Sequence, residues 1–356
     1  MDKIKVLIVE DSALMRKMLS QMLSSDKEIE VIGIARDGED AVLKARELKP
    51  DVITMDINMP KLDGLTALQY IVHENICPVV MVSSLSQQGA VITFEALELG
   101  AFDYVPKPGG TISLNIEEIK NELIQKVKLA AKSNLTTKLK RHRSSILREK
   151  RQVTSYTSSS KPLTKAVVIG VSTGGPKTLN EIIPDLPEDI DAAVFIVQHI
   201  PENFTESFAK RLDGNAKFPI KEVAAGDTIQ NGHGYVGKGG YHLLVREING
   251  ELRARLSNQP HHLFIPSVGI MMESVLQVFG NRTVGVLLTG MGDDGADAMV
   301  KIKNAGGVTI AESEETAIVY GMPKEAVERG GVDYEVPSYK VAEYILRALK
   351  KIDKLN

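Results

Sequence analysis

Cysteine is almost absent: the 356-residue sequence has one, Cys77. One thiol excludes an intramolecular disulfide and leaves no thiolate cluster for zinc, which points to a reducing, cytoplasmic compartment. Charge of one sign is also lacking, since the formal net charge is −3. Near balance gives no global argument for nucleic acid or a membrane surface as partner. No apolar run approaches the roughly 20 residues that a membrane span requires. The N-terminus enters a strand pattern at Ile4–Val9 without an apolar leader. What remains is a cytoplasmic globular chain, too long for one ordinary core, and two domains are expected.

Present instead is a run that organises the C-terminal half: Val167-Val168-Ile169-Gly170-Val171-Ser172-Thr173-Gly174-Gly175-Pro176. β-Branched residues stop at a serine and break into Thr-Gly-Gly-Pro. This reads as a buried strand, a tight turn and a helix with proline in its first turn. The Gly-x-Ser-x-Gly frame exposes a hydroxyl nucleophile, because glycine on either side permits a sharp turn. N–H groups at the helix start suit a developing oxyanion. A strand-to-helix turn with a capping serine shares the five-residue pattern, so the serine needs partners elsewhere.

The first domain, residues 1-132, alternates β-branched runs with helical periodicity. Strands are expected at 4–9, 31–35, 52–55, 79–82 and 101–105, each followed by a helical stretch, which implies a five-stranded parallel, doubly wound α/β sheet. The first helix carries Leu14, Met15, Met18, Leu19, Met22 and Leu23 on one stripe, expected as core. Glu10, Asp11, Asp56, Ser83 and Lys107 stand where strands end, and such ends form the ligand crevice of an open α/β sheet. Three converging carboxylates repel unless a divalent cation sits among them, and oxygen ligands with open water positions suit Mg²⁺. Asp56 then reads as a phosphoryl acceptor, with Lys107 to pair with the phosphate and Ser83 to donate a hydrogen bond to it.

This constellation resembles the receiver domain of two-component response regulators, through Val9-Glu10-Asp11-Ser12, Met55-Asp56-Ile57-Asn58-Met59-Pro60 and Pro106-Lys107-Pro108. The resemblance implies Asp56 as phosphoacceptor, Glu10 and Asp11 as the acidic pair, and Asn58 as a metal ligand through its carbonyl. It also implies Ser83 and Tyr104 as switch residues and a phosphorylated histidine kinase as donor. Residues 111–132 read as a closing amphipathic helix striped by Ile116, Ile119, Leu123, Ile124 and Val127. From Lys132 to Lys165 there are ten Lys/Arg against one acid, Glu149, with a Ser/Thr-rich patch at 154–160. Low hydrophobicity and like charge read as a basic, flexible linker over 133-163.

The second domain, 164-356, is again α/β with a mainly parallel sheet, interrupted by a β-hairpin whose signal is Asn249-Gly250. An apolar run ends at His199, and another ends in Thr289-Gly290-Met291-Gly292-Asp293-Asp294-Gly295-Ala296. Three strands thus bring Ser172, His199 and an aspartate near 294 to one sheet edge, the residue types of a serine nucleophile, its base and the base's orienting acid. The order Ser, His, Asp differs from the Ser, Asp, His of α/β-hydrolases, so another scaffold is expected. Glycines 290, 292 and 295 suggest a loop whose backbone comes close to the site. His261-His262 has no carboxylate at ligand spacing to make a metal site.

Gly170-Val171-Ser172-Thr173-Gly174-Gly175-Pro176, Val197-Gln198-His199-Ile200-Pro201, residues 288–296 and Val319-Tyr320-Gly321-Met322-Pro323 resemble the CheB family, the chemotaxis protein-glutamate methylesterases. The resemblance implies a Ser172, His199, Asp294 triad, with Asp293 at the variable position of the Met-Gly-x-Asp-Gly frame and Thr173 and Met291 beside the oxyanion. It implies no cofactor for the esterase. The implied substrates are glutamyl methyl esters and glutamines of chemoreceptors, and the implied control is phosphorylation. A receiver-fused hydrolase of another ester and a non-enzymatic adaptor are the other classes; an adaptor would need no triad. Two departures, Gly269 where Asp is common and Lys238 where Pro is common, are expected to leave the triad untouched.

Overall fold

The structure is a computed structural model that describes residues 2–84, 86–107, 116–133 and 162–354. The chain divides into two compact units, 1–146 and 147–356. Pro108, residues 111–115 of the expected closing helix, and 134–161 of the expected linker lie outside the described residues.

In the first unit the order is β1 (Ile4–Val9), α1 (Ala13–Ser24), β2 (Ile29–Ala35), α2 (Gly38–Leu48), β3 (Val52–Asp56), α3 (Gly64–His73), β4 (Val79–Ser83), α4 (Gln87–Leu99), β5 (Asp103–Pro106) and α5 (Ile116–Lys132). All strand pairs are parallel, in the spatial order β2-β1-β3-β4-β5. β3 and β4 are buried throughout because helices cover both faces, which is why they read as unbroken apolar runs. Side chains cap the helices: Ser12, Asp37, Asp63 and Ser86 each accept a backbone N–H in the first turn. Two expectations need correcting. Leu14 is 69% exposed, and α1 buries only Leu19, Met22 and Leu23, because its first turn projects beyond the carboxyl end of β1. Ile116 of the α5 stripe is likewise exposed, whereas Lys126 is buried.

The second unit continues with β6 (Ala166–Val171), α6 (Gly175–Ile182), β7 (Ala193–Gln198), α7 (Glu202–Asn215), β8 (Ile220–Glu222), β9 (Gly234–Val236), β10 (His242–Ile248), β11 (Glu251–Ser257), α8 (Val268–Phe279), β12 (Thr283–Leu287), α9 (Ala296–Asn304), β13 (Val308–Glu312), α10 (Met322–Glu328), β14 (Tyr334–Val336) and α11 (Ser338–Asp353). Seven strands form one parallel sheet in the order β14-β13-β12-β6-β7-β9-β8. β8, β9 and β14 have three residues each, too short to show a period in sequence. β10 and β11 pair antiparallel through Asn249 and Gly250, both at positive φ as a two-residue hairpin turn requires. Leu243, Val245 and Ala254 of this hairpin share a core with Met271, Met272 and Val275 of α8.

Strand order decides where the second site forms. From β6 the chain winds one way through β7, then returns to the other flank of β6 with β12 and continues outward to β13 and β14. The reversal opens a crevice at the carboxyl ends of β12, β6 and β7, the usual ligand position in such sheets.

Candidate active site

In the first unit, strand ends gather the acids. Glu10 and Asp56 are buried, Asp11 is exposed, and their carboxylate oxygens lie within 4.8 Å of one another. Lys107 Nζ is 2.9 Å from Asp56 Oδ2 and 3.1 Å from Glu10 Oε2. Burial raises the Asp56 carboxyl, and Lys107 only partly offsets this. Burial and the Asp56 charge raise Glu10 in the same way. One ammonium among three carboxylates leaves negative charge in excess, a donor set of hard oxygens that fits a divalent cation. The N–H of Asn58 points at Asp56, and its side chain is exposed. Ser83 Oγ is held by Thr93 Oγ1 at 2.7 Å rather than by the acids. The Tyr104 ring is buried, with Lys126 Nζ 5.1 Å from its centroid.

In the second unit the turn after β6 matches the expected geometry, though its glycines serve different ends. Gly174 has φ +80, a left-handed conformation that a side chain would strain. Gly170 is needed for packing, since a Cβ there would meet Val268 Cγ1 at 2.1 Å. β6 and β7 are in register with Val171 opposite Gln198, so Ser172 and His199 leave adjacent strands at the same level. Across the turn, Ser172 N donates to Thr289 O at 3.0 Å, and Gln198 Nε2 donates to Ser172 O at 2.9 Å. A Cβ on Gly290 would lie 2.8 Å from Ser172 Cβ, so the glycine loop does press on the serine.

His199 Nε2 is 2.8 Å from Asp294 Oδ2. Asp294 is buried and also accepts from Ser267 Oγ (2.8 Å), Val268 N (2.7 Å) and Gly269 N (2.9 Å). Burial alone would raise this carboxyl, but the His199 contact and the α8 N–H groups outweigh it and hold Asp294 down to about 2. With Asp294 ionised, Nε2 carries the imidazole proton. Nδ1, buried and without a hydrogen-bond partner among the described residues, is left as the basic nitrogen. The nitrogen roles are thus the reverse of the chymotrypsin-type triad. Ser172 Oγ makes no hydrogen bond among the described residues. The N–H groups of Thr173 and Met291 donate to no group among those residues. Asp293 faces away, paired with Arg329 Nη2 at 2.6 Å.

Comparison with known proteins settles the family. The CheB methylesterase profile matches residues 167–345 and the response regulator receiver domain profile matches 6–117. A protein-glutamate methylesterase/protein-glutamine glutaminase of Syntrophomonas wolfei is 57% identical, covering 98% of this chain and 100% of that one. The chain belongs to the CheB methylesterase family. A protein of the same description from Pyrococcus horikoshii is 46% identical over 98% of this chain and 95% of that one. The crystal structure of the Thermotoga maritima CheB methylesterase catalytic domain is similar with TM-score 0.50 and 39% identity, covering 51% of this chain and 97% of that one. This CheB-family chain is therefore an enzyme, a methylesterase carrying a receiver domain.

Several residues of the CheB-type site escaped sequence reasoning. Gly269 does touch the site: its N–H holds Asp294, and a Cβ there would lie 3.2 Å from Asp294 Oδ1, so the expectation that this departure leaves the triad untouched is corrected. Its partner Ser267 caps α8, a signal present in Pro266-Ser267-Val268. His242, fully buried, accepts from Ser267 N at Nδ1 (3.1 Å) and lies 3.0 Å from Pro260 O at Nε2. Glu312, at the end of β13, accepts from Thr289 N at 2.8 Å. His261 and His262 are exposed and join no metal-type cluster among the described residues.

Proposed function

We propose that this chain hydrolyses glutamyl methyl esters of chemoreceptors, releasing methanol, and deamidates receptor glutamines, under control of phosphorylation at Asp56, for chemotactic adaptation. The observation that supports the chemistry most is the buried Nδ1 of His199, unpartnered among the described residues, opposite an Nε2 fixed on an ionised Asp294. Nδ1 takes the Ser172 proton as Oγ attacks the side-chain acyl carbon. The N–H groups of Thr173 and Met291 receive the oxyanion; such a donor is worth roughly 10²–10³ in rate. Methanol, or ammonia from glutamine, leaves with the proton from His199, and water activated by the same nitrogen releases the glutamate. Asp294 keeps the tautomer and stabilises the imidazolium.

The domains are read as receiver over 1-132, basic connecting segment over 133-163 and esterase over 164-356. Receiver domains in general are phosphorylated by a kinase-borne phosphoryl group with Mg²⁺. Here Glu10, Asp11, Asp56 and the Asn58 carbonyl would hold the cation, which supplies charge neutralisation for an incoming phosphoryl group. Lys107 would pair with that group, while Ser83 and Tyr104 report the change. The partners are methyl-accepting chemoreceptors and a histidine kinase, in the cytoplasm.

The test is methanol release from radiolabelled, methylated receptor by wild type and Ser172→Ala, with and without a small phosphodonor and Mg²⁺. Release is expected to vanish with Ser172→Ala and to rise with the phosphodonor. Equal release by the variant removes Ser172 as nucleophile.

A further inference from the structure

The triad leaves one degree of freedom open. A single hydrogen bond from Nε2 to Asp294 fixes one edge of the His199 ring but not its plane, since the ring can rotate about that line. Nδ1 is useful as a base only when its lone pair, which lies in the ring plane, points at the serine hydroxyl. Phe264 closes this freedom. Its ring lies against the His199 ring with centroids 4.1 Å apart and planes 9° from parallel. A tilt of the imidazole would drive it into the phenyl face.

The segment that carries Phe264 is anchored on both sides. His242 Nε2 lies 3.0 Å from Pro260 O, and Gly240 N donates to Ile265 O at 3.2 Å. Next to it, Leu263 is 86% exposed, so the chain turns one apolar side chain out and the other in onto the imidazole. Three residues further on, Ser267, Val268 and Gly269 bind Asp294. Residues 264–269 therefore hold both the base, by its face, and the acid, by its oxygens.

We infer that Phe264 is a positioning residue of the esterase, whose ring sets the plane of the His199 imidazole and so aims Nδ1. It rests on the reading of Ser172 and His199 as nucleophile and base. An apolar ring makes no hydrogen bond to substrate in this role, so its removal acts on turnover rather than on binding. Misplacement of a catalytic group by about 1 Å costs on the order of a hundredfold.

The test compares full-length wild type, Phe264→Leu, Phe264→Met and Phe264→Tyr. Two readouts are taken: the rate at which a fluorophosphonate probe labels Ser172, and kcat and KM for methanol release from methylated receptor. Phe264→Leu and Phe264→Met are expected to label and turn over tens of times more slowly with KM within about twofold. Phe264→Tyr, which keeps the ring, is expected to retain most of both rates. Thermal midpoints identify any variant that is merely unfolded, and the two aliphatic variants guard against loss of one. Wild-type labelling rates in Phe264→Leu and Phe264→Met overturn the inference. So does a loss in Phe264→Tyr equal to theirs, or a loss confined to KM. Wild type that labels but releases no methanol overturns the receptor substrate and leaves the labelling comparison intact; wild type that does not label overturns the nucleophile and Phe264's role together.

Discussion

Asp56, at the end of β3, and Asp294, in the loop after β12, are both buried carboxyls, yet their surroundings push them in opposite directions. Asp294 is lowered to about 2 because His199 and the N–H groups of Gly269 and Val268 outweigh its burial. A depressed carboxyl stabilises the fold above its unfolded value near 4, and that contribution, about 2 kcal/mol for a shift of roughly two units, is lost as pH falls toward about 2. Asp294→Asn is expected to lack this acid-dependent loss in an acid titration of the second domain's unfolding. It is also expected to slow methanol release by about 10⁴, as a wrongly held tautomer does. Asp56 is raised by burial, so ionising it costs the folded state more than the unfolded one. Asp56→Asn is therefore expected to raise the thermal midpoint of the Mg²⁺-free protein, to shrink the midpoint gain from Mg²⁺, and to abolish labelling by a phosphodonor. A lower midpoint without Mg²⁺ would show that the Lys107 pairing outweighs burial.

At the scale of elements, α5 shows what periodicity leaves out. Its apolar stripe was readable, but Lys126 is buried beneath it, bound to Asp103 at 3.2 Å, Glu122 at 2.7 Å and Tyr104 O at 2.6 Å. A lysine on the helix face reads as solvated until β5 is known to begin with a buried aspartate beside it. Lys126→Met strands the Asp103 charge and is expected to cost about 3–5 kcal/mol in denaturant unfolding. Adding Asp103→Asn to it is expected to recover much of the loss. If both variants were equally unstable, lost packing rather than the stranded charge would be the cause. The helix α8 was less readable still. Its capping Ser267 stands in plain view, but the carboxylate that its first turn binds comes from Asp294, 27 positions away. Only the fold brings donors and acceptor together.

At the scale of the whole molecule, two compact units share one chain, and the proposed regulation requires that one act on the other. A phosphodonor with Mg²⁺ is expected to speed methanol release by the full chain and to leave residues 164–356 alone unaffected. Equal responses would separate the phosphorylation site from control of the esterase. Both sites lie at the carboxyl ends of parallel strands, where the sheet order reverses and successive βα loops diverge.

By itself the sequence determined the two α/β units, the acids and lysine at the ends of β1, β3 and β5, and the serine, histidine and aspartate that end β6, β7 and the loop after β12. These were legible because each sits at the end of an apolar run, and such runs are local. The tertiary structure alone decided which nitrogen of His199 meets Asp294, that Gly269 and Ser267 hold that acid, that Lys126 is buried, and that Phe264 covers the imidazole. Each depends on contacts between residues far apart in the chain, set by strand order and helix placement, and no periodicity within one segment encodes them.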